Sequence, residues 1–330
     1  MKAWAVAGLV AGLLVAVPAG PAQAQPGWTW TTLSYGEPVN GELGLATHAY
    51  GVSADKVVGR YSNTRDDYGF VYDGRTYSLL ASPWATDAMG IFALGVSGNR
   101  VAGYYRDNGY QSQSHGFLYD GTSWSTMDYP GAVATWASGF DGNSVFGGYS
   151  TASGERHLFL YDSGVWTSVD YPSVPGSSDT QVADMSDGRI LGSFRDSSGV
   201  WRGFLLEDTE YTTLEFPGAT LTSPTGIWGD RIVGTYYDGL GTHGFLYDGQ
   251  NWTSLDYPGA GFDGKAWTQV WDIWGDRIVG ACVVESVGHA FLLTVPEPGS
   301  LGLLVLAGSM CLRRCGARGG SRSVRTPAGR

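Results

Sequence analysis

A chain of 330 residues with 15% charged residues, 13% aromatic residues and 51 glycines is far too apolar for a disordered segment and twice as glycine-rich as an average domain. Seven of its twenty basic residues are Lys2 or lie from Arg313 onward, whereas all 31 acids lie between, so the intervening stretch carries a net charge of −18. That balance argues against nucleic acid as a partner. Of three cysteines, Cys311 and Cys315 fall near the C-terminus, which leaves Cys282 alone and excludes a disulfide framework or a cysteine metal site in the body.

Residues 1–24 read as an export signal. Lys2 supplies the positive start, Ala3 to Val17 is an unbroken apolar or glycine run, and Ala22-Gln23-Ala24 is a small-x-small cleavage site. The run is short for a membrane span. Cleavage after Ala24 is expected, with the mature chain starting at Gln25.

The body, residues 25–294, is repetitive. The phrase His-Gly-Phe-Leu-Tyr-Asp-Gly places phenylalanines at 70, 117, 159, 204, 245 and 291, with spacings of 47, 42, 45, 41 and 46 residues. A second phrase, Gly-Asp-Arg-Ile-Val-Gly-x-Tyr, places glycines at 59, 103, 147, 192, 234 and 280. A third places an aromatic residue three positions before an apolar one, from Trp30/Leu33 to Trp252/Leu255. Each repeat reads as four short strands, A to D, joined by Gly-Asn, Gly-Asp or Asp-Gly turns that accept the positive φ of tight hairpins. Antiparallel four-stranded units of this period match propeller blades. The fold class expected is therefore all-β: a six-bladed β-propeller of four-stranded antiparallel blades. An open array or β-solenoid is the alternative.

The phase of the repeats bears on closure. The segment Trp28 to Leu33 carries the third phrase before any A strand, and the last repeat lacks its own D strand. The N-terminal strand is thus expected to pair with the strand around Phe291 and close the ring, which removes exposed edges. His289-Ala290-Phe291 and the His-Gly-Phe copies resemble the extracellular HAF repeat over nearly all of residues 28–293. That resemblance implies export and repetition, with no established activity.

Chemistry is thinly signalled. His115, His157, His243 and His289 occupy one scaffold position, replaced by Tyr68 and Arg202 in the other copies. Copies rotated about 60° apart cannot bring that position together as metal ligands, so no metal and no cofactor are expected. No nucleophile elbow, metal-protease helix, phosphate loop or calcium loop occurs. Residues that break the repeat are the better candidates. Threonine opens strand A in five copies (Thr47, Thr135, Thr180, Thr222, Thr268), and four residues later stands glycine, except for Asp184 and Asp272. On innermost strands these two carboxylates are suited to a cation or a sugar hydroxyl, or else to bonds with neighbouring turns. Trp84, Trp136 and Trp267 are assigned to D-to-A loops, as a platform for sugar rings or as loop plugs. A non-enzymatic module binding extracellular polysaccharide or a surface protein is the function expected. The alternative is a secreted glycan hydrolase or lyase with carboxylates near the central channel.

The C-terminal part carries a second address. Pro296, Glu297 and Pro298 precede an apolar run, Leu301 to Leu312, followed by Arg313 and Arg314, the charge pattern of a segment whose basic end stays at the cytoplasmic surface. The run is short, so any membrane anchoring is weak or transient. This order of parts resembles the PEP-CTERM sorting tail over residues 295–314. The resemblance implies an exosortase-type membrane protease as partner and delivery to the cell surface or extracellular matrix. A basic tail, residues 315–330, follows where such segments usually stop.

Overall fold

The computed structural model describes residues 27–34, 46–63, 67–81, 83–84, 90–106, 113–169, 179–261 and 265–296. Ala24, Glu297, Pro298, Arg313 and Arg314 lie outside the described residues, and Pro296 is the last residue within them. Every described element is a β-strand.

The chain opens with β1 (Thr29–Leu33). The first repeat then contributes β2 (Ala46–Val52), β3 (Val57–Ser62), β4 (Asp67–Tyr72) and β5 (Tyr77–Leu79), and the second β6 (Ile91–Ser97), β7 (Arg100–Arg106), β8 (Ser114–Tyr119) and β9 (Trp124–Thr126). The third gives β10 (Ala134–Asp141), β11 (Ser144–Ser150), β12 (Arg156–Asp162) and β13 (Val165–Val169). The fourth gives β14 (Asp179–Ser186), β15 (Arg189–Arg195), β16 (Trp201–Glu207) and β17 (Glu210–Leu214). The fifth gives β18 (Leu221–Trp228), β19 (Arg231–Tyr237), β20 (Thr242–Tyr247) and β21 (Trp252–Leu255). The sixth has three strands, β22 (Thr268–Trp274), β23 (Arg277–Val284) and β24 (Val287–Thr294). Neighbouring strands within each repeat pair antiparallel, so the molecule is an all-β propeller of four-stranded antiparallel blades.

The two repeated phrases explain each other. The glycine of strand B faces the phenylalanine of strand C in every repeat, as in Gly59↔Phe70, Gly147↔Phe159 and Gly280↔Phe291. A Cβ on Gly280 would stand 2.5 Å from the Phe291 ring and collide with the Gln269 carbonyl oxygen. The phenylalanine therefore lies flat over a hydrogen-bonded backbone pair, and all six are fully buried. The turns follow the same economy of space. Asp73, Asp120 and Asp248 each accept backbone N–H bonds from the residues two and three positions on, at 2.6–2.9 Å. The glycine after each has φ of +90° to +98°, which only glycine adopts without strain.

One expectation needs correction. Six separate sheets were expected, but only four repeats, the second to the fifth, stand as separate four-stranded sheets. The remaining eight strands form one sheet, in which β1 pairs antiparallel with β24 and β24 also touches β2. The join is a single parallel bridge, Ala46↔Gly288. Its physical reason is close approach: a Cβ on Gly288 would stand 3.0 Å from the Ala46 Cβ, so a glycine there lets two sheet edges meet. The expected partner of the N-terminal segment is present, with Trp30 opposite Leu293 and Thr32 opposite Phe291.

Candidate ligand-binding channel

The first strand of every repeat lines one cavity of about 910 Å³, with Tyr50, Leu94, Ser138, Ala183, Thr225 and Trp271 at equivalent positions in its wall. These residues sit at a register shift repeated in all six A–B pairs, between Ala93 and Gly95 for example. Such a bulge turns the extra side chain out of the pairing pattern. The inner strands crowd each other here. A Cβ on Gly95 would stand 2.6 Å from the Cα of Gly139, and one on Gly226 2.9 Å from the Cα of Asp272. Glycine at this position is thus a packing requirement between neighbouring inner strands.

Asp184 and Asp272 replace that glycine and resolve the crowding differently. Each carboxylate spans two inner strands. Asp184 accepts from Met185 N (2.8 Å) on its own strand and from Ile227 N (2.8 Å) on the next. Asp272 accepts from Ile273 N (2.7 Å) and from Val52 N (2.8 Å). Both line the cavity. Burial, opposed in part by these N–H bonds, pushes the Asp184 carboxyl up to about 7, and burial together with the Asp184 charge raises Asp272 well above the ordinary carboxylate range. Two half-buried carboxyls held by backbone donors, one of them poised near neutrality, are suited to hydrogen-bonding sugar hydroxyls or to exchanging a proton.

Of the three tryptophans assigned to D-to-A loops, Trp84 and Trp267 lie in such loops and Trp136 does not. Trp84 lies in the β5–β6 loop, stacked on Tyr105 (5.2 Å, 15°) and edge-on to Trp124 (6.0 Å, 84°). Tyr129 makes the same pair of contacts with Tyr149 and Trp166, and Phe216 with Tyr236 and Trp252. Trp84 therefore fills the place that Tyr129 and Phe216 take in later loops, and plugs its own. Trp136 is not in a loop: it belongs to β10, opposite Gly148, where a Cβ would stand 2.5 Å from its ring. Its position just after Thr135 continues the strand because Thr135 Oγ1 accepts from Tyr129 N (3.0 Å) and already ends the loop. Trp267 precedes β22 and bridges to Thr242 through its backbone. None of the three is among the cavity-lining residues.

The aromatic residues that do line the cavity were missed. Trp228 and Trp274 end β18 and β22 beside the two aspartates, with rings 5.8 Å apart and 38% and 39% exposed. At the other end of the channel stand Phe92, Tyr104, Arg60 and Arg106, while Tyr50 lies between, its ring 5.5 Å from that of Trp271. A signal for Phe92 was available: the residue after the strand-A threonine position takes five identities in six repeats (His48, Phe92, Trp136, Gln181, Ser223, Gln269), while the threonine before it recurs in five. The strand-C histidines behave as scaffold. His115 and His243 bond Asp128 and Asp256 of their own repeats at 2.9 Å, and Arg202 contacts Glu215 in the same way.

Neither a family model nor a curated protein matches the chain. Among solved structures, Trypanosoma rangeli sialidase in complex with sialic acid is 12% identical with a TM-score of 0.48, covering 92% of this chain. This chain spans about 64% of that sialidase. The β-propeller domain of the Trilobed protease from Pyrococcus furiosus is 10% identical (TM-score 0.45, covering 76% of this chain and 96% of that one). SapL1 lectin in complex with alpha methyl fucoside is 15% identical (TM-score 0.48, 77% and 97%).

Proposed function

We propose that this chain is an exported, non-enzymatic binding protein of the cell surface or extracellular matrix, and that its inner channel binds polysaccharide. The observation that carries the reading is the exposed Trp228–Trp274 pair next to Asp184 and Asp272 in a cavity of about 910 Å³. Aromatic faces beside fixed hydrogen-bonding groups suit sugar rings, and large exposed apolar side chains normally mark a binding site. Delivery rests on the signal ending at Ala24 and on the tail with Pro296, Glu297, Pro298, Arg313 and Arg314, read by an exosortase-type protease. N-terminal sequencing of the exported protein should begin at Gln25, and replacing Arg313 and Arg314 by Ala should change tail processing or retention.

The ring is proposed to have six blades, two of which meet in the eight-stranded sheet. Support comes from the first strands of β-hairpins that follow one another around the cavity. Arg100 donates to Asn143 O (3.0 Å), Arg189 to Gly229 O (2.8 Å), Arg231 to Gly275 O (3.1 Å), and Arg277 to Ser53 O (2.6 Å). The last of these joins the sixth repeat to the first by the same bond that joins the others in sequence, with β1 as the sixth blade's outer strand.

A second reading, a glycan hydrolase or lyase, draws on the Asp184 carboxyl near neutrality, as a general acid requires. Incubating the purified protein with a glycan panel, scoring retention and product release together, tests both. Retention without products supports the binding protein; product release that disappears in Asp184→Asn supports the enzyme; neither result removes the carbohydrate reading altogether.

A further inference from the structure

The channel is charged unevenly. Its carboxylates, Asp141, Asp184 and Asp272 among them, gather toward the A–B turns, whereas Arg60 and Arg106 stand at the opposite end, on β3 and β7. Both guanidiniums lie over the Phe92 ring, 5.3 and 5.2 Å from its centroid, and Arg106 is also 5.8 Å from that of Tyr104. Phe92 is buried and stacks on Tyr104 at 4.5 Å and 3°, so the two arginines share a rigid aromatic floor. Such cation–π seating fixes a guanidinium plane while leaving its N–H edges available.

The donors there exceed the acceptors. Arg60 pairs with Asp67 through Nη1 at 3.3 Å, and Asp67 also accepts from Ser62 Oγ (2.5 Å). Arg60 Nε is buried and has no hydrogen-bond partner among the described residues, an orphaned donor of the kind that costs stability unless a ligand or water meets it. Arg106 is exposed. Among the described residues, one carboxylate against two arginines leaves a positive site in a chain of net charge −11. His48, opposite Arg60 in the β2–β3 ladder, adds no charge at neutral pH, because burial and the Arg60 charge push it down to about 4.

We infer that the Arg60–Arg106 end of the channel binds the carboxylate of an acidic sugar unit, with the guanidiniums seated on Phe92 and Tyr104 holding its oxygens. The inference rests on the carbohydrate reading above and gives it a ligand class. Planar guanidiniums match carboxylates in geometry, and charge-assisted bonds there are the strong ones. The chain's overall negative charge opposes a densely charged polyanion, so the fitting ligand presents a carboxylate at one position, with neutral rings running toward Trp228 and Trp274.

Isothermal titration of the full protein tests this with a neutral xylo-oligosaccharide bearing a single glucuronate, its carboxyl-reduced counterpart and sodium sulfate, at fixed ionic strength. The singly acidic oligosaccharide should bind about tenfold tighter than its reduced counterpart, and Arg106→Gln should abolish that preference. Arg106 is exposed, so the variant should melt with the parent; Arg60→Gln, checked by its melting curve, provides a second probe. Equal affinity for the acidic and reduced sugars, or a preference that survives in both variants, overturns the inference and leaves the carbohydrate reading standing. Sulfate binding that depends on Arg106, with no sugar bound, keeps an oxyanion site but removes both the acidic-sugar inference and the carbohydrate reading. Silence from all three probes overturns both.

Discussion

Oδ2 of Asp272 accepts the backbone N–H of Val52 at 2.8 Å, tying the last repeat to the first across 220 residues of sequence. Asp184 makes the equivalent bond to Ile227 between the fourth and fifth repeats. Both carboxyls bind protons more tightly folded than unfolded, because burial disfavours their charged form. Their contribution to stability is therefore complete below the unfolded carboxyl value and is lost as pH rises through the folded one. The expected outcome is an unfolding free energy that falls by a few kcal/mol between about pH 4 and about pH 7. Asp73, Asp120 and Asp196 are shifted downward by their hydrogen bonds and act oppositely, losing stability as the solution becomes more acid than that window. Urea denaturation across pH should show the decline, and Asp184→Asn should flatten it; a parent curve already flat from pH 5 to 8 refutes the assignment.

The glycine–phenylalanine pairs make a sharper prediction about packing. Gly280→Ala introduces a Cβ against the Phe291 ring and the Gln269 carbonyl oxygen, neither of which has room to retreat. Overpacking of this kind typically costs about 1–3 kcal/mol. Gly98→Ala is a different case, since nothing lies within 4 Å of the added methyl but φ is +59°. The two variants should both lower the melting temperature, Gly280→Ala by collision with the Gln269 carbonyl oxygen and the Phe291 ring and Gly98→Ala by backbone strain alone.

Much of this architecture was legible because a repeat writes the same physics six times. The strand-B glycine, the strand-C phenylalanine and the turn aspartates are fixed by local geometry, so they recur at readable positions. The site was harder to read for the converse reason. Trp228 and Trp274 matter through where inner strands converge, and convergence depends on how blades pack around the axis. Whether Trp84 is platform or plug was open in the sequence, because the loop after the first repeat carries tryptophan where the loop after the second carries Tyr129. The parallel bridge between Ala46 and Gly288, which joins the first and last repeats in one sheet, left no trace in the repeat pattern.

Deleting residues 25–34 should destabilise the whole chain. Leu33 is 1% exposed, and Trp30 packs against Phe291 (5.0 Å) and Tyr257 (5.4 Å). Without β1 the edge of β24 is open to pairing with another chain. Size-exclusion chromatography should then show aggregates and the melting temperature should fall; a monomer as stable as the parent contradicts the role given to β1.

The tryptophans separate scaffold from site by stability alone. Trp84 is half-buried between Tyr105 and Trp124 and packs against the core of the second repeat. Its replacement by Ala leaves a hole of the kind that costs about 3 kcal/mol or more. Trp228 and Trp274 are each more than one-third exposed, with rings 5.8 Å apart at the channel wall. Surface positions of that sort usually change stability by no more than about 0.5 kcal/mol, so Trp228→Ala and Trp274→Ala should melt with the parent. Their loss should appear instead in glycan retention, where stripping one ring from a stacking pair weakens binding. If Trp84→Ala melts with the parent while Trp228→Ala unfolds far below it, plug and platform have been assigned the wrong way round, and the loop face rather than the channel mouth becomes the place to look for the ligand.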